Sequence, residues 1–144
     1  MFGIIVVGTD GSLTADRAVA RAAELAAQTG DELHIVTAHR PGPERGSAPG
    51  PSPDDSADRW TASPEAEAQA TLRSAAVLAR QFAVEAHTRA CPGDPAKVIL
   101  ATARELGAGL VVIGSKGVER RILGSVPNAI THDAECDVMV VRTT

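Results

Sequence analysis

The chain predicts a doubly wound α/β sheet, and three observations carry that prediction. Four segments rich in β-branched residues recur along the 144 residues, at Ile4–Gly8, Leu33–Ala38, Leu110–Gly114 and Val138–Arg142. Three of them are nearly continuous apolar runs, which marks strands buried on both faces of a parallel sheet. Between them lie segments of helical periodicity. Strand and helix therefore alternate, a pattern that implies a parallel sheet with helices on both faces and right-handed crossovers.

Each element has its own local signal. The first strand, Ile4–Gly8, runs into Gly8-Thr9-Asp10-Gly11-Ser12. The helix after it, Asp16–Thr29, sets Val19, Ala22, Leu25 and Ala26 at helical spacing, with Ser12 as its cap and Gly30 as its stop. The second strand is Leu33–Ala38. The stretch Arg40–Pro64 holds six of the nine prolines together with many Gly, Ser and Asp residues. That composition buries too little apolar surface to order itself, so a long surface excursion is expected, with Trp60 near its end. A helix over Glu65–Gln81 and a weaker strand over Val84–Ala90 follow. Asp94-Pro95 reads as an N-cap followed by Pro at the first helical position. Ile99, Ala103 and Leu106 then share one face, and Gly107 ends that helix. The strand Leu110–Gly114, a short helix over Val126–Thr131 and the strand Val138–Arg142 complete one domain spanning 1–144.

Bulk properties narrow the function. A net charge of −4 lacks the basic face that broad nucleic-acid binding needs, so no nucleic-acid partner is expected. With only three aromatics (Phe2, Trp60 and Phe82), the core must be built from Val, Ile, Leu and Ala. No run approaches the roughly 18 apolar residues of a membrane span, and Met1–Val7 lacks the basic lead of a signal peptide. Cys91 and Cys136 fit no metal or redox spacing and read as buried thiols. The expectation is a cytoplasmic protein with no membrane partner.

The chemistry concentrates at two glycine-bearing strand ends. Leu110-Val111-Val112-Ile113 runs directly into Gly114-Ser115-Lys116-Gly117, and Gly124-Ser125-Val126-Pro127 then opens a helix. Backbone amides beside a helix N-terminus favour an anion. In a doubly wound sheet, ligands bind past the carboxyl ends of strands where the strand order reverses. If the first and fourth strands are neighbours, the Gly8 and Gly114 loops face one cleft. The dinucleotide fingerprint G-x-G-x-x-G is absent after the first strand, and the Gly109 to Gly114 spacing does not continue as a P-loop.

These residues, in this order and spacing, resemble the universal stress protein family in its nucleotide-binding branch. The likeness spans nearly the whole chain, from Gly8-Thr9-Asp10-Gly11-Ser12 through Gly93-Asp94-Pro95-Ala96 and Leu110–Gly117 to Gly124-Ser125-Val126-Pro127 and Asp137–Val141. It implies an open, five-stranded, Rossmann-like parallel sheet of order 3-2-1-4-5, the adenine nucleotide alpha hydrolase-like arrangement. It also implies a site for ATP, or for ADP or AMP. Gly114, Gly117, Gly124 and Ser125 match the family's Gly-x2-Gly-x9-Gly-Ser/Thr and would meet phosphate and ribose, together with Ser115, Lys116 and Val126. Gly8, Thr9, Asp10 and Ala38 would lie along ribose and adenine, and Asp10 is the residue to hold Mg²⁺ beside a triphosphate. A pure turn role is the other reading of Asp10. Family members commonly pair through the last strand, which implies a homodimer through Val138–Arg142.

One departure stands out. The spacer Val118–Leu123 has six residues where the family has nine. That shortens an extended chain by up to ~10 Å, or a helix by ~4.5 Å. Two other functions therefore compete with a nucleotide sensor: a dimeric interaction module without nucleotide, and an adenylating enzyme. The enzyme finds little support, since Gly8–Ser12 only faintly echoes the expected Ser-Gly-Gly-x-Asp-Ser loop. His34, His39, His87 and His132 are dispersed and suggest neither a catalytic triad nor a zinc site. Lys116, Arg120 and Arg121 are cations near the expected phosphate position.

Overall fold

The computed structural model describes residues 1–41, 63–115 and 125–142. Five strands, β1 (Ile4–Gly8), β2 (Glu32–His39), β3 (His87–Pro92), β4 (Leu110–Gly114) and β5 (Asp137–Val141), form one parallel sheet of order β3-β2-β1-β4-β5. Four helices connect them: α1 (Leu13–Thr29), α2 (Pro64–Arg80), α3 (Pro95–Leu106) and α4 (Ser125–Asp133). The expected fold class and strand order are both present.

The helix ends follow local chemistry. Ser12 caps α1 by accepting from the Ala15 amide at 3.1 Å, so the helix starts at Leu13, three residues before the expected Asp16. Gly30, at φ 76°, closes it by donating its N–H to the Ala26 carbonyl. Ser63 and Asp94 cap α2 and α3 in the same way, each followed by a proline.

Alternate residues of each strand serve opposite layers. Ile5, Val7, Leu33, Ile35, Leu110 and Val112 face α1 and α2. Val6, Val36, Val111 and Ile113 face α3 and α4, among them Ile99, Ala103 and Ile130. Alanines 18, 22, 23 and 26 of α1 are all buried, so small side chains let that helix approach the sheet closely. Each fully buried Val or Ile contributes about 1.5–3 kcal/mol relative to exposure.

The third strand begins later than expected. Residues 81–83 form the turn that ends α2, with Ala83 at φ 62°, and Val84 leaves it with its amide bonded to the Ala79 carbonyl. Val84 is buried against the first core layer rather than paired in the sheet, so its apolar character reflects tertiary packing. The strand itself starts at His87. Of the expected Arg40–Pro64 excursion, residues 42–62, Trp60 included, lie outside the described residues.

At the amino edge of the sheet, one carboxylate ties down the start of the chain. Asp31 accepts from the Met1 ammonium at 2.9 Å, the Phe2 amide at 2.9 Å and the Gly3 amide at 3.0 Å, and also from the Thr29 hydroxyl. The ammonium first, and then the Phe2 amide, hold its pKa well below the ordinary 3.8, against the opposing effect of burial. A depressed carboxylate pKa stabilises the fold above the unfolded-state value, and that stability is lost as pH falls through it toward the folded value. Asp31→Asn is therefore expected to lower the urea midpoint at neutral pH, with a deficit that shrinks below about pH 4. A deficit independent of pH would rule out the charge as its source.

Candidate nucleotide crevice at the carboxyl edge

The chain leaves β1 toward β2 on one side and returns to β4 on the other, so the strand order reverses between β1 and β4. In open sheets of this class, ligands bind outside the carboxyl ends of the strands at such a reversal. The structure brings the turn after Gly8 and the end of Gly114 to this one place, as the sequence predicts. The end of β2, with Thr37 and Ala38, borders the same side next to β1.

The β1 turn is locked by its own hydrogen bonds. The Thr9 amide donates to Val36 O at 3.0 Å, and the buried Thr37 hydroxyl donates to the Thr9 carbonyl at 2.7 Å. The Gly11 amide donates to Thr9 Oγ1 at 3.1 Å, and the Ser12 amide donates to Asp10 Oδ1 at 3.0 Å. Asp10 thus does make the turn bond, while its carboxylate stays exposed. Gly11 sits at φ 83°, and a Cβ there would lie 2.8 Å from Thr71 Oγ1 of α2. Gly8 has a packing reason as well, because a Cβ would lie 2.4 Å from Ile99 Cδ1 of α3.

This turn offers a carboxylate and hydroxyls, with its Thr9, Gly11 and Ser12 amides already committed. Such a wall suits hydroxyl or amino donors or a hard cation, and it disfavours a phosphate. On the other wall, the Ser115 amide donates to the Val141 carbonyl at 3.0 Å, so this N–H extends the sheet instead of facing the crevice. Amides for an anion must then come from beyond Ser115 or from the start of α4. Because β5 is parallel to β4, α4 runs back along the sheet and its N-terminus lies at the carboxyl edge. Ser125 is the first residue of α4, and Val126 packs half-buried against the second core layer. Lys116, Gly117, Arg120, Arg121, Gly124 and the spacer Val118–Leu123 lie outside the described residues.

Two sequence expectations change. Cys91 and Cys136 are free, but both are half-buried and not fully enclosed. Burial, helped by Asp137 and Glu135, pushes the Cys136 thiol up and keeps it protonated. The histidines are not all dispersed either, since His34 and His87 stack in neighbouring strands at the amino edge. His39 ends β2 half-buried, its Nδ1 donating to the Arg40 carbonyl at 2.8 Å.

Sequence reasoning missed Thr37. Its signal was a hydroxyl inside an otherwise apolar strand, next to a glycine loop. Thr37→Val keeps the shape but removes the donor to the Thr9 carbonyl, and is expected to destabilise by about 1–3 kcal/mol. Thr37→Ser should recover most of that in urea unfolding. A valine variant as stable as the parent would show that the bond does not hold the turn.

Known proteins share this architecture. The family model described as "Universal stress protein family" matches residues 1–142. A universal stress protein of Mycobacterium tuberculosis (strain H37Rv) is 35% identical over 143 residues, covering 97% of this chain and 96% of that protein. Universal stress protein YxiE of Bacillus subtilis is 30% identical over 148 residues, covering 99% of this chain and all of its own length. Among solved structures, a universal stress protein in complex with cAMP superposes with a TM-score of 0.77 at 31% identity, covering 99% and 98% of the two chains. The Archaeoglobus fulgidus protein in complex with dAMP gives 0.71 at 25% identity, covering 97% of each. With the family model matching residues 1–142 and relatives alike over nearly their whole length, the chain belongs to the universal stress protein family.

Proposed function

We propose that this protein binds an adenine nucleotide in the carboxyl-edge crevice and that occupancy acts as a stress-response sensor or switch, with at most slow hydrolysis. The observation that carries this is the cAMP complex of a relative similar over 99% of the chain, read together with a strand-order reversal on the same edge as Gly8 and Gly114. In this reading Gly8, Thr9, Asp10 and Ala38 serve the base and ribose. Gly114, Ser115, Lys116, Gly117, Gly124, Ser125 and Val126 serve the phosphates and ribose of ATP, ADP or AMP. The committed amides of the β1 turn support that division. The exposed Asp10 carboxylate fits Mg²⁺ beside a triphosphate.

Heat-denaturing the purified protein and analysing the supernatant is expected to release a stoichiometric adenine nucleotide. Gly114→Val and Gly124→Val are expected to weaken calorimetric binding of ATP or AMP by about tenfold or more, which is about 1.4 kcal/mol, without unfolding the chain. An empty supernatant and no heat with ATP, ADP or AMP would overturn the reading. The six-residue spacer then favours the second function, a dimeric interaction module without nucleotide.

The same proposal includes a cytoplasmic homodimer that pairs through β5 and its continuation, Val138–Arg142. Among the described residues β5 pairs with β4 alone, and Val140 is exposed, so this edge presents an apolar strand to a second copy. Sedimentation is expected to show a dimer that Val140→Lys converts to monomer. A monomeric parent chain would refute the pairing.

A further inference from the structure

A second constellation lies at the amino edge, away from the crevice. Glu32 opens β2, and His34 follows two residues later on the same sheet face. His87 opens β3 as the register partner of His34. The two imidazoles stack, with centroids 4.5 Å apart and planes inclined by 18°. Both rings turn Nε2 toward one carboxylate oxygen, Glu32 Oε1, at 2.9 Å from His34 and 3.5 Å from His87.

We propose that Glu32, His34 and His87 form a site for a divalent transition-metal ion of the zinc type. One ligand atom from each residue falls within a sphere of contacts no wider than 4.8 Å. Zn–N bonds of 2.0–2.1 Å in a tetrahedral shell place the donor atoms about 3.3 Å apart. The two measured edges, 2.9 and 3.5 Å, bracket that spacing, and on binding the stacked rings tilt toward one another so that both lone pairs meet one ion.

The donor set selects the metal. Two imidazoles and one carboxylate suit zinc and its neighbours, whereas magnesium and calcium prefer all-oxygen shells. Without an ion, two ring nitrogens share a single oxygen. An ion gives each nitrogen lone pair, and the carboxylate charge, a partner of its own. Three protein ligands also leave a fourth position for water or a further ligand.

Placement on paired strands makes the arrangement precise, because the register and not a loop holds the donors together. The side chains of Glu32 and His87 are more than half exposed, so an ion reaches them from solvent. His34 is only 15% exposed and anchors the trio. Bound metal would link the edge strand β3 to β2, and because it binds only the folded state it would raise thermal stability.

The test uses the full chain, stripped with a chelator and then titrated with Zn²⁺ against a chromophoric competitor, and separately with Co²⁺ followed by visible absorption. Saturable binding at one site is expected, with a higher melting temperature and cobalt ligand-field bands free of a thiolate charge-transfer band. Glu32→Gln and His87→Ala, each checked by circular dichroism, are expected to weaken Zn²⁺ binding by at least about tenfold, as direct ligands exceed the 10–100-fold effect of outer-shell partners. Absence of saturable binding would overturn the proposal. Unchanged affinity in both variants would overturn it too, as would a thiolate band placing the ion on Cys91 or Cys136.

Discussion

The parallel pairing of β1 with β4 is the constraint on which the rest of the molecule depends. Val6, Val7, Val111 and Val112 are fully buried, so both faces of this pair must be covered. Two helical layers follow from that requirement, α1 and α2 on one face and α3 and α4 on the other. The strand order reverses between β1 and β4, and sheets of this class bind ligands outside the carboxyl ends at such a place. At Gly8 the constraint is visible at atomic scale. Helix α3 lies so close over the end of β1 that Ile99 fills the space a side chain would take.

The two walls of the crevice differ chemically because their backbones are used differently. On the β1 side, the Thr9, Gly11 and Ser12 amides are engaged by Val36 O, Thr9 Oγ1 and Asp10 Oδ1, and the Thr37 hydroxyl holds the Thr9 carbonyl. On the β4 side, the Ser115 amide is spent on β5, and the start of α4, at the same edge, is where the helix dipole favours negative charge. A nucleotide carries the same asymmetry, with hydroxyl and amino donors at one end and phosphates at the other. Related proteins have been solved in complex with cAMP and dAMP, ligands of that kind.

The amino edge is organised by charge. Asp31 gathers the Met1 ammonium and two amides beside the entrance to β2, and Glu32 faces two imidazoles one residue later. Asp31 precedes the strand and turns to the chain start while Glu32 opens it, so these two carboxylates serve separate clusters. Both clusters join segments that are distant in sequence.

Local chemistry made much of this fold legible. Continuous apolar runs, the caps Ser12 and Asp94, and the stops Gly30 and Gly107 act within a few residues, so the sequence by itself determined element order, sheet class and the two glycine-bearing strand ends. The family likeness supplied the strand order 3-2-1-4-5. Only tertiary structure decided what depends on neighbours distant in sequence. Val84 resembles a strand residue, yet it is buried just past the turn that ends α2 because packing claimed it. Thr37 became the support of the β1 turn only once β2 lay beside β1. His34 and His87 share no local pattern, since β3 joins β2 only after the whole α2 crossover has closed. Their meeting is a property of register, and register is set by burial of both sheet faces rather than by any short stretch of chain.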